Sequence, residues 1–204
     1  LCLGGKCRKC KKKIDVEYFL TETICGTVFV FSFFYRWMNA ADSNVFSWII
    51  LRDWIFIGGL IFLFIYDFKY QILPDKITLP IIGAMLALNF FLEKSFTYIL
   101  VGAGVGAGFF LIQYLVSRGK WIGDGDIRMG AFLGAALGWP SIVFALFVAY
   151  ILGGAGSGYL LLAKKKKLKS RMAFGTFLAV GGLAAMYWGN DIVNWYIGLM
   201  QGLK

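Results

Sequence analysis

The chain has 204 residues, 59% of them hydrophobic and 16% charged, with a mean hydropathy of +0.72. A soluble core of this size does not need so much apolar surface. The apolar runs are apolar all round, which excludes a transmembrane barrel and leaves an all-α polytopic membrane protein with about seven transmembrane helices.

The net charge of +10 is concentrated in two clusters, one between Lys6 and Lys13 and one between Lys164 and Arg171. Both abut apolar runs, so they read as cytosolic anchors on anionic lipid and not as a nucleic-acid surface. The chain opens on Leu1 with no visible cleavable signal peptide, and further sequence is expected before it. Residues 1–17 read as the remnant of a cytosolic segment, and residues 18–204 as the membrane domain. In the first segment Cys7 and Cys10 have the C-x-x-C spacing that supplies two thiolates to one zinc, half of a tetrahedral site. Cys25 lies in an apolar run and reads as packing.

The first span is expected from about Tyr18 to Met38. The second runs from Ile49 to Tyr66, with Arg52 and Asp53 as an interfacial anchor near its outer end. A polar segment from Asp67 to Lys76 then faces the cytosol. A third span, Ile77 to Leu92, leads through an outer turn at Glu93 and Lys94 to a fourth, Ser95 to Ser117. This delivers the island Gly119-Lys-Trp-Ile-Gly123-Asp124-Gly125-Asp126-Ile-Arg128 to the same side as Asp67. The glycines free the backbone from helix, so a helix is expected to start at about Asp126.

From Met129 to Ala163 the chain carries no charge for 35 residues. As one helix that is about 50 Å, too long for a single crossing of a roughly 30 Å core. The expected break is Gly138-Trp139-Pro140, which leaves a short helix ending within the bilayer thickness. A seventh span, Met172 to Asn190, precedes a separate apolar segment from Ile192 to Leu203. Glycines 102, 104, 106, 108, 130, 134 and 138 sit inside apolar runs without the polar turn of a phosphate loop, and read as close helix packing.

With no histidine and no serine beside a plausible base, serine- and histidine-based hydrolysis lacks its parts. The acids at the mouths of central spans are Asp67, Asp75, Asp124 and Asp126. Asp75 follows Pro74 and precedes a span, where an N-cap belongs. Asp124 reads as a solvated turn residue. Asp67 and Asp126 are expected at opposite kinds of helix end, whose fields make Asp126 the anion and base and leave Asp67 the acid. Such a pair could hydrolyse a peptide bond. The same carboxyls could instead bind a cation or relay protons in a transporter or channel, or merely anchor helix ends in a scaffold.

Gly123-x-Gly125-Asp126 followed by Ile127-Arg128, and Asp67 seven residues before Pro74-Asp75 with Ile-Thr-Leu-Pro after it, resemble the type IV prepilin peptidases, intramembrane aspartyl proteases of the GxGD type. Gly4-Gly5-Lys6-Cys7-x-x-Cys10 and Ala173-Phe-Gly175-Thr176-Phe-Leu-Ala179 match the bacterial branch in place and order. The resemblance implies cleavage of the short basic leader of prepilins and pseudopilins at the cytosolic face of the inner membrane. It makes Asp67 and Asp126 catalytic and gives Gly123, Gly125, Asp124 and Asp75 supporting or substrate-binding roles. It also implies that many bacterial members N-methylate the new terminus with S-adenosylmethionine and bind zinc at two C-x-x-C pairs. The chain departs from the pattern at its start, where only one such pair is present. It also has Thr176 where proline is usual and Arg128 where lysine is common.

Overall fold

The computed structural model describes residues 9–10, 13, 15–39, 43–92, 95–162 and 174–202. Among these lie seven helices: α1 Val16–Asn39, α2 Ser43–Tyr70, α3 Asp75–Phe91, α4 Phe96–Ser117, α5 Asp124–Leu137, α6 Ser141–Leu162 and α7 Phe174–Gly202. Four are long and apolar enough to cross a membrane, over Val16–Asn39, Phe46–Tyr70, Phe96–Ser117 and Ser141–Tyr159. The protein is thus a helical membrane protein. Cys7, the turn at Glu93 and Lys94 and the second lysine cluster lie outside the described residues.

The chain divides into two units, Leu1–Trp54 and Ile55–Lys204, with the division inside α2. In the first, Arg36 Nε of α1 donates to Asp53 Oδ2 at 2.6 Å and Arg52 Nε donates to Asp53 Oδ1 at 2.9 Å. Asp53 is 1% exposed. The pair expected as an interfacial anchor is therefore a buried cluster. A carboxylate inside an apolar helix must be paired, and α1 brings the second guanidinium to it.

The second unit is built on α5. With 14 residues, about 21 Å, α5 is too short to cross a bilayer. From Met129 to Leu137 every residue except Ala131 is buried. Phe56, Leu60 and Leu63 of α2 and Leu178 of α7 share its core, and the Phe56 and Phe132 rings stand 5.3 Å apart. Along α4 the contact is backbone on backbone: a side chain on Gly106 would strike the Gly130 carbonyl, and one on Gly102 would lie 2.6 Å from the Gly138 Cα.

A helix that stops in the interior leaves carbonyls without partners. Here Asn89 of α3, 1% exposed, donates from Nδ2 to Ala135 O at 2.7 Å and Ala136 O at 3.1 Å. Beyond them Gly138 takes φ 74, and the Trp139 N–H donates to Tyr98 O at 3.1 Å. The break expected at residues 138–140 is thus present, and Asn89 and Tyr98 supply partners to its freed backbone groups. Replacing Asn89 with Leu should leave both carbonyls short of a donor, at about 1–3 kcal/mol each. A lowered unfolding midpoint in detergent is expected; an unchanged one would contradict this role.

Several boundaries differ from expectation, among them the start of α2, at Ser43 instead of Ile49. Helix α2 continues four residues past Tyr66, so Asp67 lies inside its last turn instead of after it, because no glycine or proline interrupts residues 67–70. Helix α5 begins at Asp124, two residues early, with Gly123 in extended conformation as its N-cap. Helix α7 is continuous from Phe174 to Gly202, so the expected terminal segment is part of it. Asn190, where a break was expected, instead accepts a bond from Ser141 Oγ at 2.7 Å.

Candidate active site

Two helix ends supply the acids of one site. Asp67 projects from the last turn of α2 and is 7% exposed. Its Oδ2 is buried with no hydrogen-bond partner, while the backbone N–H groups of Gly175 and Thr176, in the first turn of α7, face its carboxyl. Gly175 has no space for a side chain, because a Cβ there would lie 2.6 Å from Asp67 Oδ2 and 3.2 Å from Met129 Sδ.

Asp126 is the third residue of α5, and its carboxylate reaches back to accept the Gly123 N–H at 3.2 Å. This is the acidic half of a capping box, a contact that glycine cannot reciprocate. The two glycines of the motif differ. Gly125 sits where a Cβ would come within 2.9 Å of Leu73, so it lets the α5 terminus pack on the strand of chain before α3. At Gly123 a Cβ would make only ordinary van der Waals contacts, with Asp126 Oδ2 and Gly125 N at 3.9 Å. The second glycine is a packing requirement, and the first supplies a cap.

Burial raises the Asp126 pKa to about 7; the nearby Asp67 charge and, to a smaller degree, Asp124 push the same way, against the Gly123 hydrogen bond. The helix-end field expected to make Asp126 the anion is therefore outweighed by desolvation. Burial thus favours the protonated form of Asp126 where the helix-end field alone would favour the anion.

The other two acids also differ from expectation. Asp75 is the first residue of α3, Pro74 being the N-cap, and it pairs with Arg128. It answers the helix dipole and an arginine instead of capping the turn. Asp124 is the first residue of α5 and lies 3.3 Å from the same guanidinium, so it holds a helical position and an ion pair one turn away. Arg128 thus draws together the first turns of α3 and α5.

Two cavities flank the carboxyls. One, about 590 Å³, is lined by Asp67, Asp75, Asp124, Asp126 and Arg128 among others. The second, about 290 Å³, adds Tyr114, Lys120, Trp121 and Phe174. Asp67, Gln71, Gly123, Asp124 and Asp126 line both. Sequence reasoning passed over Gln71, which stands four residues after Asp67 and directly follows the last residue of α2.

Among the described residues no three of His, Cys, Asp and Glu come together as metal ligands. Cys10 is exposed in a turn with a free thiol.

The profile of the Type IV leader peptidase family matches residues 54–158, and that of the bacterial peptidase A24 N-terminal domain matches residues 1–36. The chain is 31% identical to the prepilin leader peptidase/N-methyltransferase of Legionella pneumophila, across 97% of this chain and 68% of the relative. It is 30% identical to that of Stutzerimonas stutzeri, with 97% and 67% covered. For that of Neisseria gonorrhoeae the identity is 33%, with 97% and 68% covered. No solved structure matches the chain.

Proposed function

The chain belongs to the type IV leader peptidase family, and on that premise we propose that it removes the leader of type IV prepilins and pseudopilins, with Asp67 and Asp126 as the catalytic pair. The observation that carries the reading is geometric: two carboxyls from different helices line both cavities, and burial beside Asp67 raises the Asp126 pKa to about 7. Two such groups with opposite protonation are what acid–base hydrolysis of an amide requires. Membership of a peptidase family replaces the transporter and scaffold readings.

In the proposed step Asp67, as carboxylate, takes a proton from water while the water oxygen bonds to the scissile carbonyl carbon. The carbonyl π pair moves onto its oxygen. When the tetrahedral species collapses, the C–N bond breaks and the leaving nitrogen takes the Asp126 proton. The pair shares its protons, so apparent pKa values belong to both groups. Lys69, Lys76, Arg118, Lys120 and Arg128 cluster where α2 meets α3 and α4 meets α5, which supports a cytosolic face for this end in the inner membrane and contact with anionic lipid. Asp75 and Asp124, both more than half exposed, would then meet the basic leader, with Gly123 and Gly125 shaping the support beneath them.

We extend two further properties to the chain. Its N-terminal residues 1–17 would form the cytosolic Cys segment and residues 18–204 the peptidase domain, with Cys7 and Cys10 as half of a zinc site. The names of the relatives also carry N-methyltransferase, and S-adenosylmethionine would supply the methyl group for the amine that cleavage releases.

Purified protein in detergent or lipid, given a prepilin-like substrate, is expected to release the leader, read as product mass; an added methyl group in the same spectrum would report the second reaction. Because Asp126 must carry a proton, kcat should fall as pH rises through about 7. A kcat that still climbs from neutral into alkaline pH would contradict the assignment of Asp126 as the acid.

A further inference from the structure

Five residues line both cavities around the pair: Asp67, Gln71, Gly123, Asp124 and Asp126. A tetrahedral intermediate formed there puts negative charge on the former carbonyl oxygen, and amide hydrolysis is fastest where a fixed N–H awaits that oxygen. Asp67 and Asp126 are occupied with protons. The Gly123 N–H is taken by Asp126 Oδ2 at 3.2 Å. Asp124 is an anion paired with Arg128 at 3.3 Å and would repel an oxyanion. The Gly175 and Thr176 N–H groups face Asp67. Gln71 alone among the five brings a side-chain amide, whose N–H has no bond among the described residues; the main-chain N–H of Asp124, first in α5, is the other open donor.

The backbone around Gln71 fits that role. It ends α2 with φ 52, in the left-handed region, and its N–H donates to Asp67 O at 2.9 Å. Glycine is the ordinary residue for such a helix end. Arg118 closes α4 in the same conformation, so the conformation alone says little; but Arg118 lines neither cavity, and Gln71 lines both. The hydrogen bond also ties the Gln71 backbone to the turn that carries Asp67.

Resting on the reading of the pair as a leader peptidase, we propose that Gln71 is a further catalytic residue, whose side-chain Nε2–H donates to the scissile carbonyl oxygen as charge develops on it. No bond to Gln71 forms or breaks; the amide strengthens one hydrogen bond in the transition state.

The deciding variant is Gln71→Gly, because it removes the amide while suiting the left-handed backbone better than glutamine does. Cleavage of a prepilin-like peptide by the full chain should show kcat lowered about 10²-fold, KM little changed and the pH dependence unmoved. The unfolding midpoint should be equal or higher. Gln71→Asn, which tolerates the same backbone and keeps a shorter amide, should fall between the two. Parental kcat in Gln71→Gly would overturn the proposal, as would a loss confined to KM or one that follows a lowered midpoint. If the parent cleaves and Asp126→Asn does not, such a result would count against Gln71 alone. A folded parent that does not cleave would overturn the leader-peptidase reading, and this inference with it.

Discussion

Asp126→Asn and Asp67→Asn should each lower leader cleavage by about 10³-fold or more, within the range by which positioned acids and bases accelerate such reactions. Either asparagine keeps the shape of the carboxyl and removes its proton chemistry. A loss of fold would give the same kinetic result, so the stability of Asp126→Asn matters as much as its rate. The folded Asp126 pKa, about 7, lies above the ordinary 3.8. Below about pH 4 the carboxyl is protonated whether folded or unfolded, and ionisation costs the fold nothing. From about pH 4 to 7 the unfolded chain gives up a proton that the folded protein keeps, so stability falls across that window, by at most a few kcal/mol, and levels off once the folded group ionises as well. Asparagine has no such proton. At pH 8 the variant should therefore unfold at or above the parental temperature while failing to cleave. Retained cleavage would remove Asp126 from the mechanism, and a lowered midpoint at pH 8 would mean that its carboxylate is a structural partner and not a strained acid.

What could be read from the residues was whatever depends on composition and spacing. The break at residues 138–140 was legible because an uncharged run of 35 residues cannot cross once and Pro140 cannot sit inside a continuing helix. The pairing of Asp67 with Asp126 in one site followed from counting spans. What escaped depends on side chains reaching across space. Asp126 was read as the anion because helix-end fields are visible in sequence, whereas its desolvation comes from neighbours assembled by the fold. The start of α5 was misplaced because the Asp126 carboxylate itself reaches back to the Gly123 N–H. The burial of Asp53 depended on Arg36, seventeen residues away. Asn89 left one faint signal, a lone amide in the apolar stretch Leu86-Ala-Leu-Asn89-Phe-Phe, but nothing local says that it faces the open end of α5.

Gly106→Ala should unfold at a clearly lower temperature than the parent, whereas Gly104→Ala and Gly108→Ala, two residues to either side, should not. Sequence reasoning gave these glycines one role, yet the packing separates them. A methyl group on Gly106 would drive into the Gly130 carbonyl, which is backbone and cannot rotate away, so α4 and α5 would have to separate. Overpacking of that kind costs about 1–3 kcal/mol, sometimes more. At Gly104 and Gly108 nothing lies within 4 Å of an added Cβ, and exposed substitutions of this sort stay within about 0.5 kcal/mol. The strain at Gly106 would also reach the chemistry, because Gly130 lies four residues, one helical turn, beyond Asp126 on the same rigid helix. Gly106→Ala should therefore lose cleavage already at temperatures where it is still folded, while the other two variants keep it. Equal midpoints for all three would mean that α4 and α5 do not meet backbone to backbone, and the placement of Asp126 would then need another explanation.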